Sequence, residues 1–150
     1  MLRRFVPEDR DGFVEMNRDP GVRKYFPGLL TPEESLGEMT CIEQHWDTHG
    51  FGPWALDVRG DFAGILGLKW VPLDMPFAPA VELLYRLIPR FWGQGLATEG
   101  SLAAMSLVFA SSTLTQWSHS LWRRTLVRGE SWKRSEWSTA AISITHRFQN

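Results

Sequence analysis

The run Arg90-Phe91-Trp92-Gly93-Gln94-Gly95, followed by Leu96-Ala97-Thr98, gathers residue types that can hold an anion. Two glycines leave the backbone uncovered. A helix predicted to begin at Leu96 leaves its first N–H groups without internal partners and adds the positive end of its dipole. Side chains at positions 93 and 95 would block a phosphate's approach. The spacing is not a dinucleotide fingerprint, because no third glycine is in place, and no Gly-Lys-Ser/Thr completes a P-loop. His45 and His49 stand four apart on a predicted helix, yet no acidic or cysteine partner has a fitting spacing, so they read as surface residues and no metal is expected. The single cysteine, Cys41, forbids an internal disulfide and makes the cytoplasm the expected compartment. It is expected in the core.

A loop of this kind works only if a strand and a helix hold it. Ala80 to Ile88 reads as the strand before it, and Leu96 to Ala110 as the helix after it, with Leu102, Met105, Leu107, Val108 and Phe109 available for burial. Upstream, Leu2, Phe5 and Val6 read as a first strand. Pro7-Glu-Asp-Arg-Asp opens a helix with Phe13, Val14 and Met16 on its apolar face, broken at Asp19-Pro20. Thr31-Pro-Glu-Glu is a capping box with proline at the first helical position, and that helix runs to His49 with Leu36, Met39, Ile42 and Trp46 as its stripe. Trp54 to Val58, a tight turn at Arg59-Gly60-Asp61, and Phe62 to Val71 read as a hairpin. Gly64 and Gly67 in its second arm ask for a bulge or a close backbone approach. A proline-rich connection, Pro72 to Pro79, precedes the fourth strand.

The chain has 150 residues, 43% of them hydrophobic and 22% charged, with a formal net charge of −1. That is room for one domain with a real core. The balance argues against a strongly basic nucleic-acid binder, no apolar run is long enough to span a membrane, and no apolar stretch follows the early arginines as in a signal peptide. Split after Ala110, the charge is uneven: ten Lys and Arg face fifteen Asp and Glu before the split, and six face two after it. The last forty residues hold four of the eight tryptophans (Trp117, Trp122, Trp132 and Trp137), no proline, and neither clear periodicity.

Arg90-x-x-Gly93-x-Gly95 resembles the Arg/Gln-x-x-Gly-x-Gly/Ala signature of the GNAT superfamily of N-acetyltransferases. The longer stretch from Glu82 to Glu99 looks like its RimJ/RimL-type branch, where a strand ending Tyr-Arg-Leu precedes Trp-Gly-x-Gly-x-Ala-Thr-Glu. Asn17-Arg-Asp-Pro, Val22, Tyr25-Phe-Pro, Gly52-x-Trp54-Ala-Leu and Phe62-Ala-Gly-Ile-Leu-Gly-Leu follow in the family's order. Leu84 departs from a glycine usual in the family. The resemblance implies an α/β fold, a mixed, mostly antiparallel sheet flanked by helices in the order β-α-α-β-β-β-α. It implies acetyl-CoA as cosubstrate in a cleft between the fourth and fifth strands, with its pyrophosphate on the backbone of Arg90, Phe91, Trp92, Gly93, Gln94 and Gly95, and Ala97 and Thr98 in the first helical turn. Leu87 and Ile88 would offer backbone to the pantetheine arm. The partner would be an amine acceptor, either a protein N-terminus or a small molecule, without nucleic acid or membrane. Glu82 is the candidate general base; its other reading is a strand carboxylate paired with an arginine. Trp54 and Trp70 would line the acceptor pocket or, as strand tryptophans more often do, the core. Glu99 suits the first turn of its helix.

The resemblance covers residues 2 to 110. Family members continue with a fifth strand, an Asn-x-x-Ser helix and a closing hairpin, none of which is legible in residues 111–150. If the codons are read one nucleotide earlier, His119 to Thr125 permits Ala-Phe-Thr-Val-Ala-Ala-Asn, and Arg128 to Trp137 permits Ser-Arg-Arg-Val-Met-Glu-Lys-Val-Gly-Met, which is that missing text. The expectation is a GNAT domain over 1–110 and an out-of-frame tail over 111–150. The alternative to an acetyltransferase is a non-catalytic remnant with weak or no CoA binding.

Overall fold

Local signals set most of the elements. The computed structural model describes residues 1–71, 81–110 and 126–128, with the backbone alone for 108–110 and 126–128. The strands are β1 (Leu2–Arg3), β2 (Pro53–Val58), β3 (Asp61–Trp70), β4 (Val81–Leu87) and β5 (Leu126–Arg128), and the helices α1 (Asp9–Arg18), α2 (Pro32–His49) and α3 (Leu96–Ala110). The strands form one sheet in the order β1-β2-β3-β4-β5. All pairings are antiparallel except β4 with β5, which is parallel. This is the expected α/β fold.

The capping box closes as its sequence demands: the Glu34 N–H donates to Thr31 Oγ1 at 3.2 Å, and the Thr31 N–H donates to Glu34 Oε2 at 2.8 Å. Gly50, in the left-handed conformation, ends α2. Arg59 and Gly60 both have positive φ, 58° and 91°, so the β2–β3 turn carries the twist a two-residue hairpin needs. Asp57 accepts from the Gly60 N–H at 2.8 Å, and that bond, with Arg3 alongside, holds its carboxyl below the usual range. The bulge lies where Leu56 pairs with Gly64 and Asp57 with Phe62. A Cβ on Gly64 would stand 2.2 Å from the Arg86 carbonyl oxygen, and its φ is +146°, so no other residue fits there.

The two faces of the sheet are covered by different helices. Arg86 on β4 reaches Asn17 of α1 and Glu38 of α2. The opposite face meets α3, where Gly100 leaves room for Leu66 of β3. Phe13 and Met16 from α1, Met39 and Ile42 from α2, Ile65 and Leu66 from β3, Leu83 and Leu87 from β4, and Ala104 and Met105 from α3 are all buried. At the N-terminus Arg3 holds buried Asp9 at 2.6 and 2.8 Å and Asp57 at 3.2 Å, which raises the Arg3 pKa, Asp9 contributing most.

Several expectations are corrected. Residues 111–150 do supply a fifth strand, because the open edge of β4 presents backbone groups that pair whatever the side chains. Cys41 is exposed, one position off the buried stripe. Leu107 is exposed rather than buried. Val108 and Phe109 as core side chains, the Pro72–Pro79 connection and the tail tryptophans lie outside the described residues.

Candidate functional site

Beside the second half of β4 lies a cleft of about 530 Å³. Among the described residues β5 is in register with Glu82, Leu83 and Leu84. The Ile88 N–H donates to the Ala63 carbonyl at 2.9 Å. Backbone groups alternate along an antiparallel strand, so those of Arg86 and Ile88 face β3 while those of Tyr85 and Leu87 face the cleft side. Of the two residues expected to offer backbone to a ligand, Leu87 is placed for it and Ile88 is not. The Leu87 carbonyl already accepts from the Trp92 indole N–H at 2.6 Å.

The loop after β4 is anchored by a single 3-10 turn, Pro89–Phe91, with Phe91 buried. The Phe91 N–H donates to the Ile88 carbonyl at 2.9 Å and the Trp92 N–H to the Pro89 carbonyl at 3.0 Å. These two donors are therefore spent. From Gly93 to Thr98 the backbone N–H groups meet no acceptor among the described residues, and the Glu99 N–H closes on the Gly95 carbonyl at 3.0 Å. Gly93 and Gly95 have φ of 71° and 75°, and a Cβ on either would have no atom of the described residues within 4 Å. The loop thus presents a run of donors and an uncovered surface at a helix N-terminus, an arrangement that suits a phosphate. Arg90 lies outside the cleft, 3.2 Å from Glu15 with both side chains largely exposed, and Gln94 donates to the Arg90 carbonyl at 3.1 Å. Leu87, Phe91, Trp92, Gly93, Gly95, Ala97 and Thr98 line the cleft.

A second wall was not legible in the sequence. Val22, Tyr25 and Phe26, from the α1–α2 connection, face the cleft together with Arg86. The Arg86 guanidinium donates to Glu38 Oε1 at 2.7 Å, Glu38 Oε2 at 3.1 Å and Asn17 Oδ1 at 2.8 Å, while Asn17 Nδ2 donates to Glu38 Oε2 at 3.0 Å. One available signal was a charged residue inside the otherwise apolar strand from Leu83 to Ile88. Trp92 bridges the walls, since a Cβ on Gly21 would stand 3.2 Å from its ring.

Glu82 does not line the cleft among the described residues. It lies four residues before Arg86 on the same strand face, about 13 Å away, opposite Lys69 in register. His45 is not a surface residue: its Nδ1 bonds the Phe51 carbonyl at 2.8 Å and its Nε2 accepts from the Trp70 N–H at 3.1 Å. The ring is therefore neutral and carries its proton on Nδ1, and burial pushes its pKa below the usual value. Both nitrogens are engaged, so neither has a lone pair for a metal. Among the described residues no group of three or more metal-ligating side chains is present, and no helix is long and apolar enough to cross a membrane. Trp54 is buried, edge-on to Trp46, as a core residue.

A family model of the acetyltransferase (GNAT) domain matches residues 1–141. A curated relative, the FsC-acetyl coenzyme A-N(2)-transacetylase of Aspergillus fumigatus, is 29% identical over 116 residues, covering 73% of this chain and 49% of its own length. The chain thus spans about half of that relative, and 61% of a second relative from Bacillus subtilis, 30% identical over 107 residues. Among solved structures, an acetyltransferase from Agrobacterium tumefaciens superposes with a TM-score of 0.67 at 21% identity, covering 95% of this chain and 77% of that one. A spermidine N-acetyltransferase from Vibrio cholerae, solved with CoA and spermine, superposes with a TM-score of 0.55 at 17% identity, covering 73% and 63%. The chain belongs to the GNAT acetyltransferase domain family.

Proposed function

We propose that this chain binds acetyl-CoA in the cleft and transfers the acetyl group to a primary amine. The observation that carries the reading is the run of unspent N–H donors from Gly93 to Thr98 beside the cleft-facing backbone of Leu87. The pyrophosphate takes the loop and the first turn of α3, including Ala97 and Thr98. The pantetheine arm runs along β4, exchanging with the Trp92 indole for the Leu87 carbonyl. The neutral amine nitrogen then attacks the thioester carbonyl carbon. The C–N bond forms and the C–S bond breaks, the amine's proton passes to a base, and the departing thiolate takes a proton to leave as CoA thiol. Glu82, which stands outside the described lining of the cleft, is the proposed base and would reach the amine through a chain of waters along β4. The RimJ/RimL-type likeness of Glu82 to Glu99 favours a protein N-terminus or a small amine as acceptor, in the cytoplasm.

Thermal shift with acetyl-CoA tests the binding step: stabilisation should rise with the logarithm of ligand concentration, and no shift at millimolar ligand sinks the reading. Glu82→Gln should lower kcat and remove the acidic limb of its pH profile while leaving the acetyl-CoA Kd unchanged. An unmoved profile assigns the base elsewhere.

In this reading residues 111–150 come from a one-nucleotide slip near residues 110–113, leaving residues 1–110 as the designed domain. Their tryptophan, charge and lost periodicity support it; the family match to residue 141 and the β5 pairing weigh against it. The DNA across codons 105 to 150 decides, since a stop codon or unrelated peptide in the alternative frame ends the idea. The same tail composition favours the competing reading, a non-catalytic remnant, which predicts no shift with acetyl-CoA.

A further inference from the structure

The wall built by the α1–α2 connection carries more positive charge than its partners neutralise. Arg23 and Arg86 are 8% and 7% exposed; Arg86 lines the cleft, Arg23 does not, and both lie against the cleft-lining Phe26, their guanidinium carbons 4.9 and 5.5 Å from its ring centroid. Only one of these two buried cations has a carboxylate partner among the described residues. Glu38, 34% exposed, pairs with Arg86 at 2.7 Å, whereas Arg23 forms no ion pair among the described residues and donates only its Nε–H, to the Gly28 carbonyl. A guanidinium has five N–H donors. Arg86 makes three hydrogen bonds and Arg23 one, so spare donors remain on both. Burying a cation without an anionic partner is costly, and the Phe26 ring face offsets only part of that cost. Burial and then the Arg86 charge push the Arg23 pKa below its ordinary value, against weaker help from Glu38 and Glu34. Such a corner, with planar donors held in low dielectric beside a cleft, is matched to an oxyanion.

Building on the acetyl-transfer reading, we propose that the acceptor is a primary amine that also bears a carboxylate, such as an α-amino acid, and that the Arg23–Arg86 corner draws that carboxylate to the cleft. Polycationic amines are repelled by the same charge.

The test pairs an α-amino acid with its own carboxamide, which differs only in the anion, and adds spermine, with rates corrected for the free-amine fraction. Wild-type protein should prefer the acid over the amide by at least tenfold in kcat/KM and use spermine least. Arg23→Gln should bring the acid-to-amide ratio near one through KM, with the acetyl-CoA Kd, measured by calorimetry without acceptor, unchanged. Arg23→Lys should restore part of the preference. Equal use of acid and amide, or a preference for spermine, overturns the proposal while acetyl-CoA binding still supports the transferase. An Arg23→Gln variant that weakens acetyl-CoA as much as the acceptor assigns the corner to a cofactor phosphate and also overturns it. No acetyl-CoA binding by wild-type protein removes the underlying reading as well. Should Arg23→Gln fail to fold, the wild-type acid-to-amide ratio decides alone.

Discussion

The two walls of the cleft are built by opposite means. The loop from Pro89 to Thr98 works through backbone: its glycines contribute by having no side chain, and its donors are peptide N–H groups left over at a helix start. The wall of Val22, Tyr25, Phe26 and Arg86 works through side chains, held by Asn17 and Glu38 on two other elements. A backbone site is damaged by adding atoms and a side-chain site by removing them. The first kind is local in sequence; the second draws on residues from 17 to 86.

Gly95→Trp makes the sharpest break on the backbone side. The acetyl-CoA thermal shift should vanish, while the ligand-free protein should lose only about 1 kcal/mol, the strain of a side chain at φ +75°, since no described atom lies within 4 Å of a Cβ there. An unchanged ligand response refutes the loop as the phosphate site. On the other wall Arg86→Ala should cost about 3 kcal/mol of stability in urea denaturation, because Glu38 and Asn17 lose their shared partner; the partial exposure of Glu38 holds the loss to the low end for buried pairs. A loss below about 1 kcal/mol would mean that this wall is not held by its polar network. Trp92→Phe, where the walls meet, keeps one aromatic ring but loses the pyrrole half of the indole with its hydrogen bond, for about 1 kcal/mol or somewhat more. If pantetheine replaces that bond, the variant should bind acetyl-CoA as well as wild type or slightly better, and weaker binding would make the indole part of the cofactor site.

His45 lies outside both walls and calibrates them. Its folded pKa is below the ordinary 6.5, so its contribution is complete above about pH 6.5 and falls as pH drops from there toward the folded value, the unfolded chain taking the proton first. Unfolding free energies should therefore fall more between pH 7.5 and 5.5 in wild type than in His45→Gln. No difference between the two would show that the Trp70 N–H bond is dispensable.

How much could be read in advance follows the same division. Thr31 and Glu34 made α2 visible because a cap is a contact between neighbours, and Arg59-Gly60 announced its turn for the same reason. The phosphate loop was legible because strand, glycines and helix start are consecutive. Cys41 and His45 were misjudged because a position one step off a helical stripe is decided by what packs there: solvent for Cys41, and Phe51 with Trp70 for His45. Ile88 looked equivalent to Leu87 until strand pairing turned its N–H toward Ala63.

By itself, then, the order of residues determined the helices, the hairpin, the anion loop and the family likeness, all of which rest on contacts within a few positions. Tertiary structure decided which edge of β4 each backbone group faces, that β5 pairs with Glu82 to Leu84 among the described residues, and that Arg23 and Arg86 converge on Phe26. Those outcomes depend on register and on charges brought together from distant elements, and the energy of a buried charge is set by the surroundings that folding assembles.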